Sequence, residues 1–184
     1  MGKKIWTVAS LILLLAIPAL PAFQAGAKFT TGPIAVKNIE KFFYYCLPQK
    51  GPFTKIGEVI GRLMEQSQIQ NVWPGGPMVA VYYNSPDLVK EADLEWELGF
   101  PTTEQTMVQD PIKKKQWIFT MVAASVHQGP YDKLGESIIK IVDWIKANGY
   151  VQNGPILETY LDMNPQGVSP ESLKTEIWIP IQKK

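Results

Sequence analysis

The chain is short of the side chains that staple or metallate a small domain: its 184 residues include one cysteine and one histidine. A lone cysteine closes no internal disulfide, and together with a single imidazole it supplies neither a thiolate nor a histidine zinc site. No sign of charge dominates either. With 18 basic against 17 acidic residues, a polycation that coats nucleic acid through its phosphates is excluded. Charged residues make up 19% and apolar residues 46%, which also excludes a disordered chain. The fold must hold by packing, and no metal or cofactor is expected.

The one long apolar run lies at the amino terminus. Lys3 and Lys4 precede residues 5–17, mostly Leu, Ile, Ala and Val; Pro18 and Pro21 then interrupt helical continuation, and Ala25-Gly26-Ala27 offers small side chains. That is the three-part pattern of a secretory signal peptide cut after Ala27. Residues 5–23 approach the length of a membrane span, so an uncleaved anchor is the alternative. The expected product is an exported, periplasmic or extracellular domain of residues 28–184, with no membrane attachment once the leader is removed. Cys46 is then expected to be a free, buried thiol.

What remains is written twice. Gly51-Pro52-Phe53-Thr54-Lys55-Ile56-Gly57-Glu58 returns 78 residues later as Gly129-Pro130-Tyr131-Asp132-Lys133-Leu134-Gly135-Glu136. Gly76-Pro77 maps to Gly154-Pro155 and Tyr82 to Tyr160; after a one-residue insertion Pro86 maps to Pro165, Glu97 to Glu176 and Pro101 to Pro180. Order and spacing held over such a length mark a duplication, with copies at residues 39–102 and 116–182.

Each copy reads as strand, helix, strand, strand. The strands, at 42–47, 78–83 and 94–100 and at 117–126, 156–161 and 173–181, are rich in β-branched and aromatic residues. The helices carry apolar residues three and four apart: Phe53, Ile56, Ile60, Leu63 and Met64, then Tyr131, Leu134, Ile138, Ile141, Val142 and Ile145. Neither copy buries its sheet and helix alone. An α+β fold is expected, two β-α-β-β units about a pseudo-twofold axis, with one antiparallel sheet, both helices on one face and a ligand cleft on the other. Gly75-Gly76-Pro77 lacks the Lys-Ser/Thr of a phosphate loop and reads as a turn, and Lys113-Lys114-Lys115 as a solvated connector.

Strand alternation sorts the side chains. Leu173, Thr175, Ile177, Ile179 and Ile181 suit the helix side, which turns Glu176 and Trp178 outward; Leu94, Trp96, Leu98 and Phe100 do the same for Glu97. Placing Leu157, Thr159 and Leu161 with the helices sends Glu158 and Tyr160 to the open face, and Tyr82 with them. The open-face set is Glu97, Glu158, Glu176, Tyr82, Tyr160 and Trp178. Two readings stand: solvated polar residues on the wet side of a half-covered sheet, or carboxyls desolvated by aromatic rings, able to donate a proton or meet a cation.

The segments "HQGPYDKLGESIIKIVDWIKANGY", "GPILETYL" and "ESLKTEIWIPI", with looser counterparts in the first copy, resemble the GyrI-like effector-binding domain, related in architecture to SOUL haem-binding proteins. The resemblance spans residues 39–182. It implies a cleft that binds hydrophobic, often cationic small molecules, with Glu176 at the position of a deep glutamate and Tyr160 and Trp178 as lining. A non-enzymatic effector-binding protein is the first expectation. A hydrolase of strained or electrophilic small molecules, using Glu176 with Tyr160 as general acid and base, is the second; haem binding at His127 is the weakest. The transcription-factor role of relatives with a DNA-binding segment is not carried over, so no nucleic-acid partner is expected.

Overall fold

A computed structural model describes residues 28–162 and 167–184. The segment expected to be a signal peptide, residues 1–27, lies outside the described residues. No helix among the described residues is long and apolar enough to cross a membrane.

The chain runs β1 (Thr30–Thr31), β2 (Ala35–Asn38), β3 (Phe42–Lys50), α1 (Ile56–Ile69), β4 (Val79–Tyr82), β5 (Glu95–Thr102), β6 (Lys113–Trp117), β7 (Met121–Gln128), α2 (Leu134–Ala147), β8 (Tyr150–Gln152), β9 (Ile156–Tyr160) and β10 (Lys174–Lys183). The strands form one antiparallel sheet, ordered β1-β7-β10-β9-β4-β5-β3-β6, with β2 also on β7 and β8 also on β10. The central six read as a palindrome, β7-β10-β9 mirrored by β4-β5-β3, which is what an axis between β9 and β4 requires. The α+β class and the duplication are therefore both visible in the sheet order.

Each helix starts the same way. Gly51 and Gly129 take positive φ values of 110° and 146°, a conformation that glycine adopts without strain. A proline follows, and a single 3-10 turn, Phe53–Lys55 or Tyr131–Lys133, leads into the helix. In α1 the buried stripe is Ile56, Val59, Leu63 and Ser67, spaced three and four apart; Met64, expected in the core, sits on the flank and is exposed. α1 packs on β3 and β5, α2 on β7, β8 and β10. The central strands β4 and β9 thus lie between the strands that the two helices cover.

The copies reach further toward the amino terminus than their expected limits at residues 39 and 116. Lys113-Lys114-Lys115 is not a solvated connector but the start of strand β6, and its mate is β2. The registers correspond, with Ala35 opposite Ala124 and Lys113 opposite Cys46. Each of these leading strands pairs with the first strand of the other copy, so the halves exchange an edge strand. The triad is a strand because alternate lysines have different tasks: Lys115 turns to Glu97 on one face, and Lys114 lies 5.7 Å from the Phe43 ring centroid on the other. Lysines on an outermost strand also discourage pairing with another sheet.

The face away from the helices is not open. Tyr44, Cys46, Val79, Val81, Trp117 and Leu157 are buried there, with Phe42, Phe119 and Trp178 packed against them. Phe42 and Trp178 belong to strands four spacings apart, roughly 19 Å in a flat sheet. Their ring centroids are 6.3 Å apart. The sheet therefore curls around this face and gives it a second, smaller core.

Candidate functional site

The expected open-face set divides between the two sides of the sheet. Glu97, Glu176 and Trp178 do lie on the side away from the helices. Tyr82, Glu158 and Tyr160 do not. The register sets Ala80 opposite both Leu98 and Glu158, and Glu158 opposite Ile177, all residues of the helix-side core or flanking it. The expectation inverted the middle strands because β4 is buried at every position, Val79 through Tyr82, and β9 at all but one. A strand covered on both faces carries no polar alternation from which to read its phase.

Inverting those strands assembles a site. Tyr82 and Tyr160, mates at the repeat offset of 78, meet on the axis with their hydroxyls 3.2 Å apart. Tyr160 donates to Glu158 Oε2 at 2.8 Å. Glu158 is fully buried, and its other oxygen, Oε1, has no hydrogen-bond partner among the described residues. The 3-10 turns that open the helices contribute one ring each, edge-on: Phe53 against Tyr82 at 5.2 Å and Tyr131 against Tyr160 at 5.4 Å. A buried carboxyl thus lies on the helix side of the central strands, beside Tyr82 and Tyr160 and the two rings packed edge-on against them. Phe53 and Tyr131 were legible only as helix core; the signal for their role was the shared offset of 78 that links each to its tyrosine.

Burial disfavours the ionised form of Glu158 and pushes its carboxyl up to about 7, against the opposing hydrogen bonds of Tyr160 and Tyr82. The same burial, together with the Glu158 charge, holds the Tyr82 and Tyr160 hydroxyls well above their ordinary range. Tyr131 is pushed up to about 12 by burial and by the charges of Asp162 and Glu158. The phenols therefore stay protonated as donors, and the carboxyl is the group that changes charge near neutrality.

The other acidic positions are already neutralised. Glu97 is 1% exposed and fully engaged, with Oε1 accepting from Tyr44 at 2.6 Å and Tyr83 at 2.8 Å, and Oε2 bound by Lys115 at 2.5 Å. A cavity of about 530 Å³ opens beside it, lined in part by Lys50, Tyr83 and Lys115, but it meets a carboxylate whose oxygens are taken. Glu176 pairs with Lys37 at 2.6 Å. Trp178 packs edge-on against Phe42 in the second core.

The remaining candidates have structural positions. Cys46 is fully buried, and burial raises its thiol. His127 is also buried, with Nδ1 2.8 Å from the Ser137 hydroxyl and Nε2 3.2 Å from the Pro130 carbonyl, which leaves no ring nitrogen for haem iron. Gly75 donates to the Pro101 carbonyl, and a side chain there would strike that oxygen, as its reading as a turn requires.

The chain is thus a duplicated antiparallel sheet that carries two helices on one face and a buried carboxyl beside paired tyrosines. The chain belongs to the GyrI-like small-molecule-binding domain family, whose sequence profile matches residues 32–182. No curated protein sequence matches it significantly. Among solved structures, the C-terminal domain of EcmrR is 21% identical, with a TM-score of 0.70 over 83% of this chain and 98% of that one. The EcmrR chain in complex with DNA matches at 20% identity and a TM-score of 0.70, over 85% of this chain but only 58% of its own length. A hydrolase from Listeria innocua, at 12% identity, gives a TM-score of 0.58 over 81% of this chain and 91% of that one. SAV2435 bound to tetraphenylphosphonium, also 12% identical, gives 0.58 over 82% and 94%. At these identities the shared property is the fold.

Proposed function

We propose that this chain is an effector-binding domain that takes an apolar organic cation between α1 and α2, against the central strands, with Glu158 as counter-charge. The observation that carries the reading is the buried Glu158 carboxyl, one oxygen held by Tyr160 and the other without a protein partner. Ionising it in an apolar surround is costly, and a cation beside it repays that cost. Rings of Tyr82, Tyr131, Tyr160 and Phe53 add cation–π attraction of about 0.5–2 kcal/mol each where they meet the charge face-on. The relative described in complex with tetraphenylphosphonium supports the ligand class. Glu158 takes the role that the family resemblance gave to Glu176.

Titration with tetraphenylphosphonium, followed by tryptophan fluorescence, tests this. The Trp96 ring centroid lies 6.0 Å from that of Phe53, edge-on, and reports on the proposed site. Saturable quenching is expected, weakened at least tenfold by Glu158→Gln and unaffected by Glu176→Gln. Silence across a panel of organic cations, or equal binding by Glu158→Gln, would refute the reading.

A second reading, hydrolysis, draws on the same carboxyl. A general acid works best when its pKa is near the working pH, and Glu158 at about 7 beside Tyr160 meets that condition. Turnover of a strained-ring electrophile that vanishes in Glu158→Gln would establish it; a panel of such probes left intact would end it.

Export belongs to the proposal as well, on the basic, apolar and small-residue pattern of residues 1–27. Protein recovered from a bacterial periplasmic fraction is expected to begin at Lys28. Recovery in the cytoplasm with residues 1–27 intact would exclude it.

A further inference from the structure

A second buried oxygen without a partner lies near Glu158, on the same side of the sheet. Thr175 stands directly opposite Tyr160 in the β9–β10 register and is completely buried. Its hydroxyl, like Glu158 Oε1, has no hydrogen-bond partner among the described residues. On its other side Thr175 faces His127 in β7, but both ring nitrogens of that histidine are taken by Ser137 and the Pro130 carbonyl. Buried polar atoms are nearly always paired, so two orphaned oxygens flanking one tyrosine call for an explanation.

Their placement suggests one. Glu158 and Thr175 lie on adjacent strands two residues out of register, on the same side of the sheet. Such diagonal neighbours stand roughly 7 Å apart at Cβ, and the longer glutamate side chain covers part of that gap. An ammonium nitrogen with charge-assisted bonds of about 2.8 Å to each oxygen would span the rest.

We propose that Glu158 and Thr175 together read hydrogen-bond donors on the ligand's cationic centre, so that the preferred ligand is a protonated primary or secondary amine carrying at least two N–H groups. The proposal rests on the reading of Glu158 and its surroundings as a cation site and narrows it. A fully substituted cation, tetraphenylphosphonium included, answers the charge but leaves both oxygens unpaired. Each buried acceptor so abandoned costs a factor of about ten or more in the binding equilibrium.

The test compares 2,2-diphenylethylammonium with its N,N,N-trimethyl counterpart, equal in charge and aromatic bulk, by calorimetric titration of the full protein at pH 8. Wild type is expected to bind the primary amine about 10- to 100-fold more tightly. Thr175→Val should reduce that preference about tenfold, and Thr175→Ser should preserve it. Equal affinities in wild type, or a preference that survives Thr175→Val, overturns the proposal. The wild-type comparison decides even if Thr175→Val does not fold. Failure of both compounds to bind, or binding indifferent to Glu158→Gln, instead overturns the cation site beneath it.

Discussion

Ala80 and Glu158 face each other across β4 and β9, and the repeat offset that relates the two copies also relates these two residues. They are mates that meet on the pseudo-twofold axis. A symmetric pair of glutamates here would be two like charges in one buried space, and one would be forced to keep its proton. With alanine on one side the axis carries a single carboxyl, flanked by a symmetric pair of tyrosines. Asymmetry at this one position makes a duplicated scaffold into a site of one charge.

That carboxyl makes stability depend on pH in a particular direction. Glu158 moves from a usual value of 4.5 to about 7 on folding, so the folded state binds the extra proton between those values. Its contribution is fully present below about 4.5 and is lost as pH rises through about 7, roughly 3 kcal/mol in all. His127 acts in the opposite sense. Burial lowers its pKa from 6.5, so its contribution is lost as pH falls below that value. Denaturant unfolding of wild type and Glu158→Gln across pH 4–8 separates the two, because the histidine is common to both. The difference between the proteins should grow in favour of the variant up to about pH 7 and then level off; a constant difference would show that Glu158 titrates normally.

Tyr160→Phe should move the same titration. Its hydroxyl donates to Glu158 Oε2 and favours the ionised form. Without it the carboxyl pKa rises further above 7, and the pH at which an organic cation reaches half its maximal affinity should climb by about one pH unit. A midpoint that stays or falls would mean that the phenol does not stabilise the carboxylate.

Gly99 tests the second core. It sits in β5 opposite Cys46, and a Cβ there would overlap the Tyr45 carbonyl oxygen and the Cys46 backbone. Gly99→Ala should cost about 1–3 kcal/mol in denaturant unfolding, as overpacking in a buried strand does. A neutral result would show that β3 and β5 can part without loss.

The parts legible in the sequence are those marked by repetition or by a contrast in polarity. Gly51-Pro52 and Gly129-Pro130 disclosed the duplication, and in β5 and β10 alternation separated Glu97, Glu176 and Trp178 from the helix side because each of those strands mixes polar with apolar residues. The same alternation failed in β4 and β9, which are covered on both faces, and it put Glu158 on the wrong side. Lys113-Lys114-Lys115 misled for the opposite reason. Three charges in a row look solvated, while a strand sends alternate lysines to different faces, and the partner of Lys115 lies 18 residues away across β3.

The two lysine–glutamate pairs are themselves mates and make the last prediction. Lys37 and Lys115 lie on corresponding positions of the exchanged strands, and each pairs with a glutamate of the other half's sheet, Glu176 and Glu97. They differ in burial. The Glu97 side chain is 1% exposed against 18% for Glu176, and Lys115 38% against 50% for Lys37. Burial alone would lower the Lys115 ammonium, yet its bonds to Glu97 and Tyr83 hold it above the usual range. Lys115→Met leaves a charge that Glu97 cannot carry to water and should cost about 2–3 kcal/mol, somewhat less than a fully buried pair because the lysine is partly solvated. Lys37→Met exposes a carboxylate that water already reaches and should cost less than about 1 kcal/mol. Denaturant midpoints at pH 7 and low salt would show the contrast; equal losses would mean that the exchanged strands, rather than the charges they carry, set the stability of the clasp.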